Sequence, residues 1–160
     1  MTERIINERM AANGTEPVVV FIIGMRLNRL FPPGRWFSVA RSMPQMLAEL
    51  RSSPASGLLH AEAARIGLRT FLFIQYWKSF DALETYARDP DQSHWPAWRD
   101  FNRKIGTDGS VGIFHETYVV PPAGREAIYV NMPPFGLGAA LGLTPAVGSR
   151  NAARTRMAGG

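Results

Sequence analysis

The chain has no cysteine among its 160 residues. That excludes a disulfide framework, a thiolate metal site and a cysteine nucleophile. It agrees with a reducing compartment, so a cytoplasmic location is the expectation. Histidine is scarce as well, with three residues, His60, His94 and His115, and no HxH or HxxxH spacing. A zinc centre needs closer ligands than these, so no metal site is expected. No apolar run is long enough to span a bilayer, and residues 1–16 read as a polar N-terminal extension without the look of a secretory leader. Gly-rich phosphate loops, dinucleotide fingerprints and GxSxG elbows are also missing.

Acidic charge is thin, and the formal net charge is +5. The surplus is local. Arg150, Arg154 and Arg156 lie in a segment, 133–160, that holds no acid, so only two positive charges belong to the rest of the chain. No basic face interleaved with aromatics appears there, and neither nucleic acid nor membrane is expected as a partner.

What is present is a globular core. Apolar residues make up 46% and charged residues 19%, enough for one domain of this length without staples. Val18–Leu27 is almost continuously apolar and β-branched and predicts a strand buried on both faces. Trp36–Leu50 repeats apolar residues at the helical period, with Pro44 inside as a kink or break. Gly57–Ile66 and Arg69–Lys78 read as two further strands. Ser79 predicts an N-cap for a helix over Phe80–Arg88, and Ser93 caps another after Asp89-Pro90-Asp91. Val111–Val120 is a fourth strand and Ala127–Asn131 a short fifth. Residues 133–160, rich in Gly and Ala, look like an extended, partly flexible arm.

The order β-α-β-β-α-α-β places residues 17–132 in the α+β class, as a ferredoxin-like split βαβ with an antiparallel sheet. Its central strands are the first and third, and those are the two most apolar runs here. Helices cover only one face of such a sheet, so a second copy of the same sheet is the economical cover for the other. A homodimer follows as an expectation, with Pro133–Leu143 wrapping the partner.

Candidate site residues cluster late in the chain. His115, Glu116 and Tyr118 lie within four positions of one strand. Alternation sends His115 one way and Glu116 and Tyr118 the other. His115 suits an acid/base or a haem ligand, and also suits a half-buried structural histidine. His94 shares a helical stripe with Trp98 and Phe101, as a pocket-mouth residue or a first-turn donor. Arg26 and Asn28 close the first strand; Arg26 is placed to neutralise an enolate or carboxylate, or to pair with Glu116 or Asp100. Most of the aromatic set, including Trp36, Phe73, Trp77, Trp95 and Trp98, reads as core. Four tryptophans still exceed what a core of this size needs, and an aromatic cavity would suit a flat apolar ligand.

The segments Tyr76-Trp77-Lys78-Ser79, His94-Trp95-Pro-Ala-Trp98, Asn102-Arg-Lys-Ile-Gly106 and Val111-Gly-Ile-Phe-His-Glu-Thr-Tyr118 resemble a monooxygenase-like family related to a fumagillin-pathway oxygenase. The likeness covers about residues 15–140. That family is similar to the dimeric α/β-barrel superfamily, which includes cofactor-independent antibiotic-biosynthesis monooxygenases, haem-degrading enzymes and aldoxime dehydratases. The resemblance implies a homodimer with one pocket per subunit for a hydrophobic small molecule, aromatic, polyketide or terpenoid. It implies His115 or His94 as base, Arg26 as anion stabiliser, and Trp77 and Trp98 as walls. Phe73, Trp95, Tyr118 and Asn28 are the remaining candidate substrate contacts. No cofactor is expected on this reading. Haem, held by His115 or His94 in an oxidoreductase or dehydratase, is the alternative, and a non-enzymatic carrier of an apolar metabolite is a third.

Overall fold

A computed structural model describes residues 4–30, 47, 48, 50, 54–89 and 108–158. Its main sheet has four strands: β2 (Val18–Leu27), β3 (Leu58–Ile66), β4 (Thr70–Trp77) and β5 (Val111–Val120). Their order is β3-β4-β2-β5, and every neighbouring pair is antiparallel. The two most apolar runs, β2 and β4, are therefore central, as the sequence predicts. This is the ferredoxin-like arrangement. A second, three-stranded sheet joins β1 (Ile6–Ala12), β6 (Ile128–Met132) and β7 (Leu143–Pro145) in the order β6-β1-β7.

Helix α1 spans Phe80–Arg88, with the Ser79 hydroxyl accepting from the Ala82 amide at 3.1 Å. That bond satisfies one of the orphan donors at the helix start. Leu83 turns inward and joins Val19, Leu50 and Trp77 in a buried cluster flanked by Phe21, Leu58, Ala82 and Tyr86. Residues 47, 48 and 50 are helical, and Leu47 and Leu50 are buried. The rest of the predicted Trp36–Leu50 helix and the helix after Ser93 lie outside the described residues.

Register decides which side chains share a face. Val19 pairs with Val119 and Trp77, Phe21 with Thr117 and Gln75, and Ile23 with His115 and Phe73. These odd-numbered positions form the face that carries the Leu50 and Leu83 cluster. Val20, Ile22 and Gly24 line the opposite face, with Tyr118, Glu116 and Phe114 beside them on β5.

The tail corrects the expectation of an extended arm. Its residues form helix α2 (Gly136–Leu141), strand β7 and a short helix α3 (Ala153–Met157). Helix α2 lies between the two sheets of its own chain. The Gly136 amide donates to Glu62 on β3 at 3.2 Å, and the Gly138 amide donates to the Tyr129 hydroxyl of β6 at 2.8 Å. A Cβ at Gly138 would come within 2.6 Å of Leu143 and 2.8 Å of the Tyr129 ring. These glycines permit close approach as well as turning. The β3–β4 half of the second sheet face is thus covered from within the chain. Toward β5, Val20, Ile22 and Phe114 stay partly buried and Tyr118 is exposed.

Gly24 in central β2 is a tight point. A Cβ there would lie 2.7 Å from the Phe114 ring, 2.7 Å from the Phe71 carbonyl oxygen and 2.8 Å from Leu72 Cβ. Two of those atoms belong to the strand framework and cannot swing aside. Gly24→Ala is expected to cost about 1–3 kcal/mol through overpacking. A lowered thermal midpoint by circular dichroism checks this, and an unchanged midpoint would show that the central strands can part at that row.

Candidate functional site

The face of β5 that bears His115 is built by alternation on three adjacent strands. Across the sheet, Phe73, Ile23 and His115 form one row, and Gln75, Phe21 and Thr117 form the next. The His115 ring lies 5.7 Å from the Phe21 ring, centroid to centroid, at an interplanar angle of 42°. The imidazole is exposed and makes no hydrogen bond to any described residue. Here an ionisable ring stands on a floor of aromatic and branched carbon. The polar neighbours in those two rows are Thr117 and Gln75. The Gln75 carbonyl oxygen accepts from the Trp77 indole N–H at 2.9 Å, and both residues are buried.

Of the residues singled out from sequence, His115 and Phe73 share one row of the same face, on either side of Ile23. Trp77 is on the same face but fully buried, at 0% exposure, within the Val19, Leu50 and Leu83 cluster. Its indole is satisfied by Gln75, so its environment is that of a core residue. Tyr118 stands on the opposite face. Its hydroxyl donates to Glu116 at 2.6 Å, and that bond holds the phenol above its ordinary pKa. Arg26 is also on that opposite face. It donates to the Thr70 hydroxyl at 3.3 Å, not to Glu116. Asn28 braces the turn before β5, donating to the Gly109 carbonyl at 3.1 Å. Within one chain, Arg26 and Tyr118 therefore do not reach the side of the sheet that His115 faces. His94, Trp95 and Trp98 lie outside the described residues.

His60 occupies edge strand β3 and pairs with Glu62 at 2.7 Å. Among the described residues no group of three or more His, Asp and Glu could hold a metal ion. No described helix is long and apolar enough to cross a membrane.

Phe21, Ile23, Gln75 and Thr117 were not singled out as site residues from sequence. Their period-two alternation is visible, but the register that sets them beside His115 belongs to pairing between distant strands.

A family model described as Monooxygenase af470-like matches residues 18–137, a span that holds all four strands of the main sheet and His115. This chain belongs to that family. A curated relative, Monooxygenase af470 of Aspergillus fumigatus, is 31% identical over 137 residues, covering 79% of this chain and 48% of that protein. The chain thus spans about half the length of this relative. Among solved structures, an aldoxime dehydratase in complex with butyraldoxime is similar with a TM-score of 0.68 at 20% identity, over 82% of this chain and 41% of that one. SnoaB, a cofactor-independent oxygenase from Streptomyces nogalater, is similar with a TM-score of 0.45 at 13% identity, over 63% of this chain and 90% of that one. The aldoxime dehydratase likeness agrees with the fold. The family assignment rests on the sequence matches.

Proposed function

We propose that this member of the Monooxygenase af470-like family is an oxygenase that works without flavin, nicotinamide or metal on a hydrophobic small molecule of aromatic, polyketide or terpenoid type. The observation that carries the reading is the exposed His115 imidazole, which has no hydrogen-bond partner among the described residues and lies beside the Phe21 ring in a row with Ile23 and Phe73. An imidazole can take a proton near neutral pH. An electron-rich phenol or anthrone loses a proton to His115 and becomes an anion. The anion passes one electron to dioxygen, and the radical pair closes to a peroxide. Loss of water leaves a carbonyl, with one oxygen atom in the product and the other in water. An apolar surround favours this by keeping solvent from the anion. His94, Trp95 and Trp98 are proposed to complete the pocket.

A homodimer is part of the proposal. The β5 side of the second sheet face, with Val20, Ile22, Phe114 and Tyr118, is the surface proposed to meet it.

A second reading rests on the same imidazole. Haem binding needs a histidine nitrogen beside apolar contacts, and His115 with Phe21 would offer them. His115 would hold the iron, and haem would supply the redox chemistry. An absorption spectrum of the purified protein, before and after haem is added, separates the two. A colourless protein that consumes oxygen with anthrones or phenols is the expected result. A Soret band that survives desalting would replace the first reading with the second. Ligand binding with no oxygen uptake in either state would leave a carrier and overturn both.

A further inference from the structure

A cavity of about 300 Å³ lies at the small sheet, remote in the fold from the His115 face. Its walls include Asn13 and Thr15 after β1, Arg125 and Glu126 before β6, and Arg150 and Arg156 from the tail. Three guanidinium groups and one carboxylate therefore meet in one concave space.

The three arginines are not equivalent. Arg156 makes four hydrogen bonds: Nε and Nη2 bond Glu126, and Nη1 donates to the carbonyls of Arg150 at 2.7 Å and Asn151 at 2.8 Å. Its charge is matched by Glu126 and its position is locked. Arg150 spends one donor on the Thr144 hydroxyl at 3.1 Å and has no carboxylate partner among the described residues. Arg125 gives Nη2 to the Gly14 carbonyl at 2.8 Å. Its Nη1 is buried and has no hydrogen-bond partner among the described residues. Burial pulls this guanidinium below its ordinary pKa, and the charge of Glu16 offsets only part of that. A buried cationic donor without an acceptor is costly unless something fills the place.

We propose that this cavity is a binding site for a small oxyanion, a carboxylate or a phosphoryl group, received by the guanidinium groups of Arg125 and Arg150 that line it. Guanidinium forks match the paired oxygens of such groups. Arg156, held by Glu126, forms a rigid wall. The volume leaves room for a ligand larger than the anionic group itself.

The test uses the full chain with two probes, sodium phosphate and sodium succinate, each at about 10 mM and matched to sodium chloride at equal ionic strength. One or both are expected to raise the melting temperature by about 2–5 °C over the chloride control. Calorimetric titration should show Arg125→Gln weakening that binding by about tenfold or more. Should Arg125→Gln fail to fold, Arg150→Gln is read in its place, with the same loss expected. A response to phosphate alone assigns the site to phosphoryl groups, and one to succinate alone assigns it to carboxylates. No shift beyond chloride, or an equal shift in the folded variant, overturns the site.

Discussion

His115→Ala is expected to lower the rate of oxygen consumption by about 10²–10⁴-fold, the usual contribution of a positioned acid/base group. The same variant should fold normally. The imidazole is exposed and bonds to no described residue, so its removal orphans no buried partner among them. Substitutions of that kind stay within about 0.5 kcal/mol. Its contact with the Phe21 ring, 5.7 Å between centroids, adds little to that figure. His115→Gln is the companion variant. It keeps a polar side chain of similar reach but cannot serve as a base. Ligand affinity within a few-fold of the parent together with lost turnover would mark His115 as a group that acts on the proton. Unchanged turnover in both variants would remove His115 from the chemistry. A thermal midpoint lowered by many degrees would instead assign it a structural role.

Trp77→Ala carries the largest expected stability effect, about 3–5 kcal/mol. Two losses combine there. The indole is fully buried among Val19, Leu50 and Leu83, so truncation opens a cavity at the join of sheet and helices. The Gln75 carbonyl oxygen, itself buried, loses the indole N–H that it accepts at 2.9 Å. Urea denaturation followed by circular dichroism should show a lower midpoint with the slope unchanged. Trp77→Phe separates the terms, because it keeps much of the ring and removes the donor. Pairing it with Gln75→Leu should cost less than the two single changes added together. The family resemblance implied Trp77 as a pocket wall, and the two roles differ in readout. A wall residue would change ligand affinity with little effect on the urea midpoint.

Several elements were legible in the chain from local chemistry. The bounds Val18–Leu27 and Val111–Val120 coincide with β2 and β5, and Phe80–Arg88 with α1 behind its Ser79 cap. Each rests on something a short window contains: a β-branched run, a helical period, a hydroxyl before a first turn. The central places of β2 and β4 followed from apolar residues offered to both faces. Strand β1 escaped this reading, because Ile6–Ala12 carries three exposed polar residues in a row, Asn7, Glu8 and Arg9, and owes its conformation to partners more than 110 residues away, at Ile128–Met132 and Leu143–Pro145. Helix α2 escaped it for a different reason. Its glycines suggest flexibility by composition, whereas Gly138 is there because Leu143 and Tyr129 leave no room for a Cβ.

The sequence by itself determined the class of fold, the two central strands, and the fact that His115 and Tyr118 point to opposite sides of β5. Those follow from periodicity, which is a property of neighbouring residues. Tertiary structure alone decided which side holds the helical cluster, which residues stand in row with His115, and that Arg26 is turned away from it. It alone brought Arg125, Arg150 and Arg156 to one cavity. Register and layer packing are set by contacts between segments far apart in the chain, and no local pattern encodes them.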